Sequence, residues 1–375
     1  MEMRQVNNHK VYRANRNRVF QYILRHDLTT RSEIAHALNL SMPTIINIVK
    51  SLMDDGLVYE AGAAQSNGGR KAVTLSCNTR ARVSVGMDIT LHHISVVFVD
   101  IKGAVILKEK TVRPFERSGE YYAFLARLID RCMLSHDIDP ALILGVGISV
   151  PGRLSGDSRT LLYSHVLNES NMLCSELESC IPFPCRFCND ANAAALAELW
   201  NNHSIGTAVY LSVSDSVGGA VIINDVLYTG ENQLAGEFGH MTLVEDGKPC
   251  YCGKRGCADA YCAASSLSAL AEGKLDAFFS LLRQNHAPAT QAWQAYLANL
   301  SILINNLRMA FDCPVILGGY IGEYIEPYID ALREMAGRRN TFFADASYIR
   351  AATFQHEPSA VGAALLFIEP FIAQI

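Results

Sequence analysis

Gly236-Glu237-Phe238-Gly239-His240, nine spacer residues, then Cys250-Tyr251-Cys252-Gly253-Lys254-Arg255-Gly256-Cys257: this stretch gathers one imidazole and three thiolates within eighteen positions. Four such donors complete a tetrahedron and leave no position for a catalytic water. The set His240, Cys250, Cys252 and Cys257 therefore predicts a structural zinc site, Zn(2+). Gly253 and Gly256 let a short loop fold back on itself, as a metal knuckle requires. The competing explanation is small buried cysteines gathered by chance, which accounts for neither the glycines nor the spacing. Glu237 stands three residues before His240, so a metal that fixes this loop also positions a carboxylate.

The rest of the composition bounds the class. The chain has 375 residues, half of them hydrophobic and 18% charged, which is globular material for two or three domains. It contains no run of eighteen apolar residues, and the N-terminus is basic and polar, so no membrane insertion and no secretory leader are expected. Eleven cysteines in no regular framework fit a reducing, cytoplasmic location. Residues 1–82 carry twelve Lys/Arg and six Asp/Glu, a balance of +6, and the remainder of the 32 basic and 37 acidic residues leaves −11. A basic first part on an acidic body implies that the first part alone meets a polyanion.

That first part reads as three helices and a hairpin. Val19, Phe20, Ile23 and Leu24 share one helical face over residues 16–25. Thr30-Arg31-Ser32-Glu33 has the form of a capping box and opens a second helix through Leu38. Ser41 caps a third helix with Pro43 in its first turn, and Ile45, Ile48, Val49 and Leu52 make its inner stripe. The outer face offers Thr44, Asn47, Lys50 and Ser51, groups able with the capping Ser41 to reach base edges and phosphates. Leu57-Val58-Tyr59 and Val73-Thr74-Leu75 flank Asn67-Gly68-Gly69-Arg70-Lys71, a glycine-tipped hairpin whose two cations suit a phosphate backbone. Together these predict a winged helix-turn-helix on double-stranded operator DNA. A three-helix dimerisation module is the bland alternative.

From residue 83 the pattern changes to short β-branched runs at 83–89, 94–99 and 104–107, then a helix over 121–135 and a buried strand over 143–150. Another strand near Phe187 leads into a helix over 191–200. Similar order recurs at 208–213, 219–223 and 315–317. Two repeats of hairpin then helical crossover predict two α/β lobes, each with a mixed sheet, and a ligand cleft between them.

Three motifs make the body specific: Asn189-Asp190-Ala191-Asn192-Ala193-Ala194, Gly236-Glu237-Phe238-Gly239-His240, and the cysteine knuckle. On these it resembles the ROK family (repressors, open reading frames and kinases), of actin/hexokinase-like, ribonuclease H-like fold. With the N-terminal module, nearly the whole chain is similar to the repressor branch that responds to N-acetylglucosamine and glucose. The resemblance implies that Asn189, Asp190, Glu237 and His240 bind sugar hydroxyls, with Asp190 the general base if the chain were a kinase. It implies that His240 also ligates zinc beside Cys250, Cys252 and Cys257. Asp259 stands where the family has a further sugar-binding glutamate. The expected division is 1–80 for DNA binding, 81–190 for the first lobe, 191–357 for the second with the zinc loop, and a C-terminal helix 358–375 returning to the first lobe.

Family kinases carry Asp-x-Gly-Gly-Thr after the first strand; this chain has Asp88-Ile89-Thr90-Leu91-His92. The second phosphate loop reads Ser214-Asp215-Ser216-Val217-Gly218-Gly219-Ala220, which sets a carboxylate where phosphates would lie. A third glycine run is reduced to Gly318-Gly319-Tyr320. The reading is therefore a repressor that senses a sugar or sugar phosphate as a homodimer or dimer of dimers, and not an ATP-dependent sugar kinase, which is the alternative. Some repressors of the family answer instead to a sugar-transport protein.

Overall fold

A computed structural model describes residues 2–63, 72–202, 204–354 and 356–375. Helix α1 (Glu2–Arg25) buries Val19, Phe20 and Ile23. A two-residue strand β1 (Thr29–Thr30) leads into helix α2 (Arg31–Leu38) through a reciprocal cap. The Thr30 hydroxyl oxygen accepts the Glu33 N–H at 3.2 Å, and the Glu33 carboxylate accepts the Thr30 N–H at 2.7 Å. Asn39 turns the chain at φ 53°, a conformation asparagine tolerates. Helix α3 (Met42–Asp54) starts at Ser41 and turns Ile45, Ile48, Val49 and Leu52 fully inward. Strands β2 (Val58–Ala63) and β3 (Val73–Cys77) pair antiparallel, and β1 joins the free edge of β3. The hairpin tip, with Arg70 and Lys71, lies outside the described residues.

The first lobe is built on β4 (Val83–Ile89), β5 (His93–Asp100) and β6 (Val105–Val112), then helix α4 (Gly119–Ser135) and strand β7 (Ile143–Val150). An antiparallel excursion follows: β8 (Arg153–Leu154), β9 (Thr160–Ser164) and β10 (Glu169–Leu173). Short helix α5 (Cys174–Glu178) and strand β11 (Cys185–Asn189) complete it, and helix α6 (Asp190–Asn201) leads into the second lobe. The second lobe holds β12 (Ala208–Val213), β13 (Val217–Ile223) and β14 (Val226–Tyr228). After the cysteine loop come α7 (Asp259–Cys262), α8 (Ser265–Ser268), α9 (Leu275–Arg283) and the long α10 (Ala287–Phe311). Strand β15 (Val315–Gly318), α11 (Gly319–Gly322), α12 (Ile329–Gly337) and β16 (Ile349–Ala351) lead to the last helix, α13 (Pro358–Gln374).

The main sheets run β6-β5-β4-β7-β11 and β14-β13-β12-β15-β16. In each, a three-strand antiparallel meander continues through parallel strands, the mixed topology that hairpins followed by helical crossovers require. The β5 side chains divide between two cores: Ile94, Val96 and Phe98 pack on the α4 side, and Val97 and Val99 on the α13 side. This is why β5 reads as a continuous apolar run.

Helix α13 packs on both α6 and β4–β7 of the first lobe. Small residues allow the approach: a Cβ at Gly86 would collide with the Ala360 carbonyl, and one at Gly147 with that of Ala363. Val361, Leu365, Ile368 and Ile372 of α13 share one hydrophobic cluster with Val19, Phe20 and Ile23 of α1. The N-terminal helices are thus joined to the body by a common core.

Candidate functional site

Each motif lands on the cleft between the lobes for a local reason. Asn189 ends β11 and caps α6: its Oδ1 accepts the Asn192 N–H at 3.0 Å, while its Nδ2 donates to Gly152 O at 3.1 Å and Asp190 Oδ1 at 2.9 Å. The amide is thereby engaged with its own scaffold, and Asp190 is held at the first turn of a helix, where the backbone N–H groups favour a negative charge. Opposite, Gly236 at φ 97° and Gly239 let the Glu237–His240 turn press on β13. A Cβ on either would strike the carbonyls of Gly219 or Val217.

The structure brings Asn189, Asp190, Glu237 and His240 together on a cavity of about 730 Å³, with Arg153, His165 and Tyr251. A second cavity of about 450 Å³ adjoins it and shares Asp190, His165 and Tyr251. Its wall carries Asp88, Asp215, Glu323 and Glu357, with Lys110 the only lysine or arginine among the described residues. Tyr320 occupies this wall, its N–H donating to Ser214 Oγ at 3.3 Å.

Asp259 stands elsewhere. It is 6% exposed, does not line the cleft, and its Oδ1 accepts the Val217 N–H at 2.6 Å. This buried carboxylate holds the start of β13.

Burial raises both cleft aspartates. Asp88 is pushed up to about 7, chiefly by desolvation, against a hydrogen bond from the Ser149 hydroxyl at 2.7 Å. Asp190 is pushed up to about 6, again chiefly by desolvation, with Glu237 adding to the effect. In the unfolded chain an aspartate titrates near 3.9, so the folded state binds more protons between pH ~4 and ~7. The stability is therefore full below pH ~4 and lost as the pH rises through the folded values. Asp88→Asn is expected to raise the melting temperature by several degrees at pH 8 and to leave it nearly unchanged at pH 4. Equal shifts at both pH values would contradict this reading.

The knuckle geometry follows its glycines, Gly253 at φ 84° and Gly256 at φ 79°. Cys250 N–H donates to Lys254 O at 2.8 Å, closing the loop. The ligand atoms of His240, Cys250, Cys252 and Cys257 all lie within 4.8 Å of one another. The Cys252 and Cys257 sulfurs are 3.7 Å apart, and the Cys250 sulfur is 4.0 Å from His240 Nδ1. Two thiolates on one tetrahedral zinc, at ~2.3 Å each, stand about 3.8 Å apart, so the donor set and its spacing fit a metal ion. Tyr251, between the first two cysteines, stacks on His165 of the β9–β10 loop at 3.9 Å between ring centroids and meets His240 edge-on. This cross-cleft contact has no local signature in the sequence; the aromatic residue inside the knuckle is its only hint.

At the other end, Ser41, Asn47 and Lys50 are exposed and Thr44 is half-buried on one face of α3. The Ser41 and Thr44 hydroxyls are 2.8 Å apart. Among the described residues no helix is long and apolar enough to cross a membrane.

Two lobes of matching topology around an acidic cleft define an α/β protein of the sugar-kinase-like type. The chain belongs to the ROK family, whose sequence pattern matches residues 84–369. It is 27% identical over 378 residues to the xylose repressor of Bacillus subtilis (strain 168), covering 97% of each chain. In fold it is similar to a ROK family transcriptional regulator described as a homolog of the Escherichia coli MLC protein, with TM-score 0.75, 18% identity and 97% of each chain covered. A ROK family glucokinase from Streptomyces griseus, solved with glucose and AMPPNP, aligns at TM-score 0.64 and 23% identity. That kinase is covered over 99% of its length by 76% of this chain.

Proposed function

We propose that the protein is a DNA-binding transcriptional regulator, acting as a repressor, whose kinase-like body binds a saccharide without phosphorylating it. One observation carries the reading: the cavity with Asp190, Glu237 and His240 is kept, while the adjoining one is lined by carboxylates and a tyrosine. Like charges in a confined site oppose a polyphosphate. Similarity to the xylose repressor over 97% of both chains, against 76% of this chain for the glucokinase, supports the same choice. A coupled assay should detect no saccharide- and ATP-dependent turnover; turnover abolished by Asp190→Asn would overturn the proposal.

In this reading residues 1–80 form a winged helix-turn-helix that presents Ser41, Thr44, Asn47 and Lys50 to the major groove. Residues 81–190 and 191–357 form the two lobes. Asp190 and Glu237 accept hydroxyl hydrogens from opposite sides of the cleft, so the ligand favours the closed form by its differential affinity. Asn189 orients Asp190, and Asp259 fixes the wall at β13. The metal is zinc: it would be held by His240 Nδ1, Cys250, Cys252 and Cys257, and it supplies a rigid crosslink. Ligation at Nδ1 leaves the other His240 nitrogen protonated, a donor for a ligand hydroxyl.

Pairs of such modules read half-sites about one helical turn apart, so a homodimer or larger even assembly is proposed. Arg70→Ala with Lys71→Ala should weaken DNA binding on every sequence and lower the salt slope by about two. An unchanged slope in anisotropy titrations would remove the wing from the interface.

A further inference from the structure

Among the described residues Arg153 is the one lysine or arginine on the larger cavity. It occupies β8, opposite Tyr163 of β9. Its backbone is fixed on the N-terminal side, since Gly152 stands at φ 132° with its carbonyl held by Asn189 Nδ2. Arg153 Nε is buried and has no hydrogen-bond partner. Among the described residues no carboxylate pairs with the guanidinium, and no aromatic ring lies beneath it. Asp190 and Glu237 share the cavity yet do not neutralise it. A cation set in a cleft without a counter-ion is a site for an anion, and the planar fork of arginine favours a carboxylate or a phosphate.

We infer that the saccharide carries an anionic group, and that Arg153 recognises it. The inference rests on the saccharide-sensing reading above and names the ligand's chemical class. The same ligand must offer hydroxyl hydrogens to Asp190 and Glu237 and an acidic group to Arg153. A uronic acid and a sugar phosphate both satisfy this. Nothing around Arg153 suits a neutral sugar better: a hydroxyl accepts one hydrogen bond from the fork, where a carboxylate or phosphate accepts two.

Calorimetric titration of the full-length protein tests it with matched sets for xylose, glucose and N-acetylglucosamine: each neutral sugar, its carboxylate form and its phosphate. At least one acidic member should bind tenfold or more tightly than its neutral parent. Arg153→Leu should weaken that ligand by about ten- to a hundredfold, and by clearly more than it weakens the neutral parent, with a cooperative melting transition like the parent protein's reporting that the variant folds. Preference for the uronate assigns a carboxylate; preference for the phosphate assigns a phosphoryl group. A neutral parent binding as tightly as its acids, or an Arg153→Leu variant that keeps acid affinity, overturns the inference and leaves the sensing reading standing. If no member of any set binds, both fall.

Discussion

Removing the metal, by chelation or by Cys257→Ser, is expected to abolish measurable saccharide binding and to lower the melting temperature by ten degrees or more. The expectation follows from how little else holds the loop. Residues 241–258 form no regular helix or strand: two isolated bridges, Thr242 with Cys257 and Pro249 with Arg255, and turn hydrogen bonds such as Leu243 N–H to Gly256 O are what hold the loop besides the four donors. Cys250 and Cys257 are buried, so a vacated site leaves thiols and an imidazole clustered without a partner. Structural zinc contributes folding energy outright. Through Tyr251 and His240 the same loop walls the cavity, so local collapse removes binding as well as stability. Cys180→Ser, at a half-buried thiol outside the cluster, should change neither quantity. Metal analysis should return one zinc per chain. A zinc-free protein that melts and binds like the loaded one would contradict the assignment.

Arg16→Ala is expected to leave saccharide affinity unchanged while removing the ligand's effect on DNA binding. The route is helix α13. At its start Ser359 Oγ donates to Asp190 O at 3.1 Å, and along its length it packs on α6. At its end three α1 side chains hold its carbonyls: Arg16 Nη1 donates to Ile375 O at 2.8 Å, Arg13 to Gln374 O at 3.4 Å, and Asn17 to Ile372 O. Cations at a helix C-terminus also meet the negative end of its dipole. Arg16 further pairs with Asp55 at the end of α3, so one side chain of α1 touches both the body and α3. Linkage of this kind typically amounts to 5- to 150-fold in affinity; the variant should reduce the factor to about one. Asp27→Ala, which breaks only an exposed pair with Lys102, should leave the factor intact. If Arg16→Ala responds to saccharide like the parent, the signal does not pass through α13.

Much of this architecture is legible in the sequence because its causes are local. The Thr30 and Ser41 caps, the inner stripe of α3, the alternating two-lobe order and the four-donor knuckle are each set by residues a few positions apart. What the sequence hides depends on distant partners. Helix α1 begins at Glu2, not at residue 16, because its polar first half carries no apolar stripe. The β8–β10 excursion is built from short, half-exposed strands with little apolar run. His165 meets Tyr251 across the cleft, and Arg153 matters only because no carboxylate comes to it. Asp259 occupies a recognisable position, but in the fold its buried carboxylate meets the Val217 N–H. Motif position is written in the chain; side-chain direction is written in the packing.

The central claim is that one protein couples a saccharide in the cleft to DNA at the N-terminal helices. Anisotropy titration of operator DNA with and without saturating saccharide, paired with calorimetric titration of saccharide with and without DNA, tests it most directly. Each ligand is expected to shift the other's affinity by the same factor, at least about fivefold. Tight binding of both with a factor of one, in either direction, would contradict it.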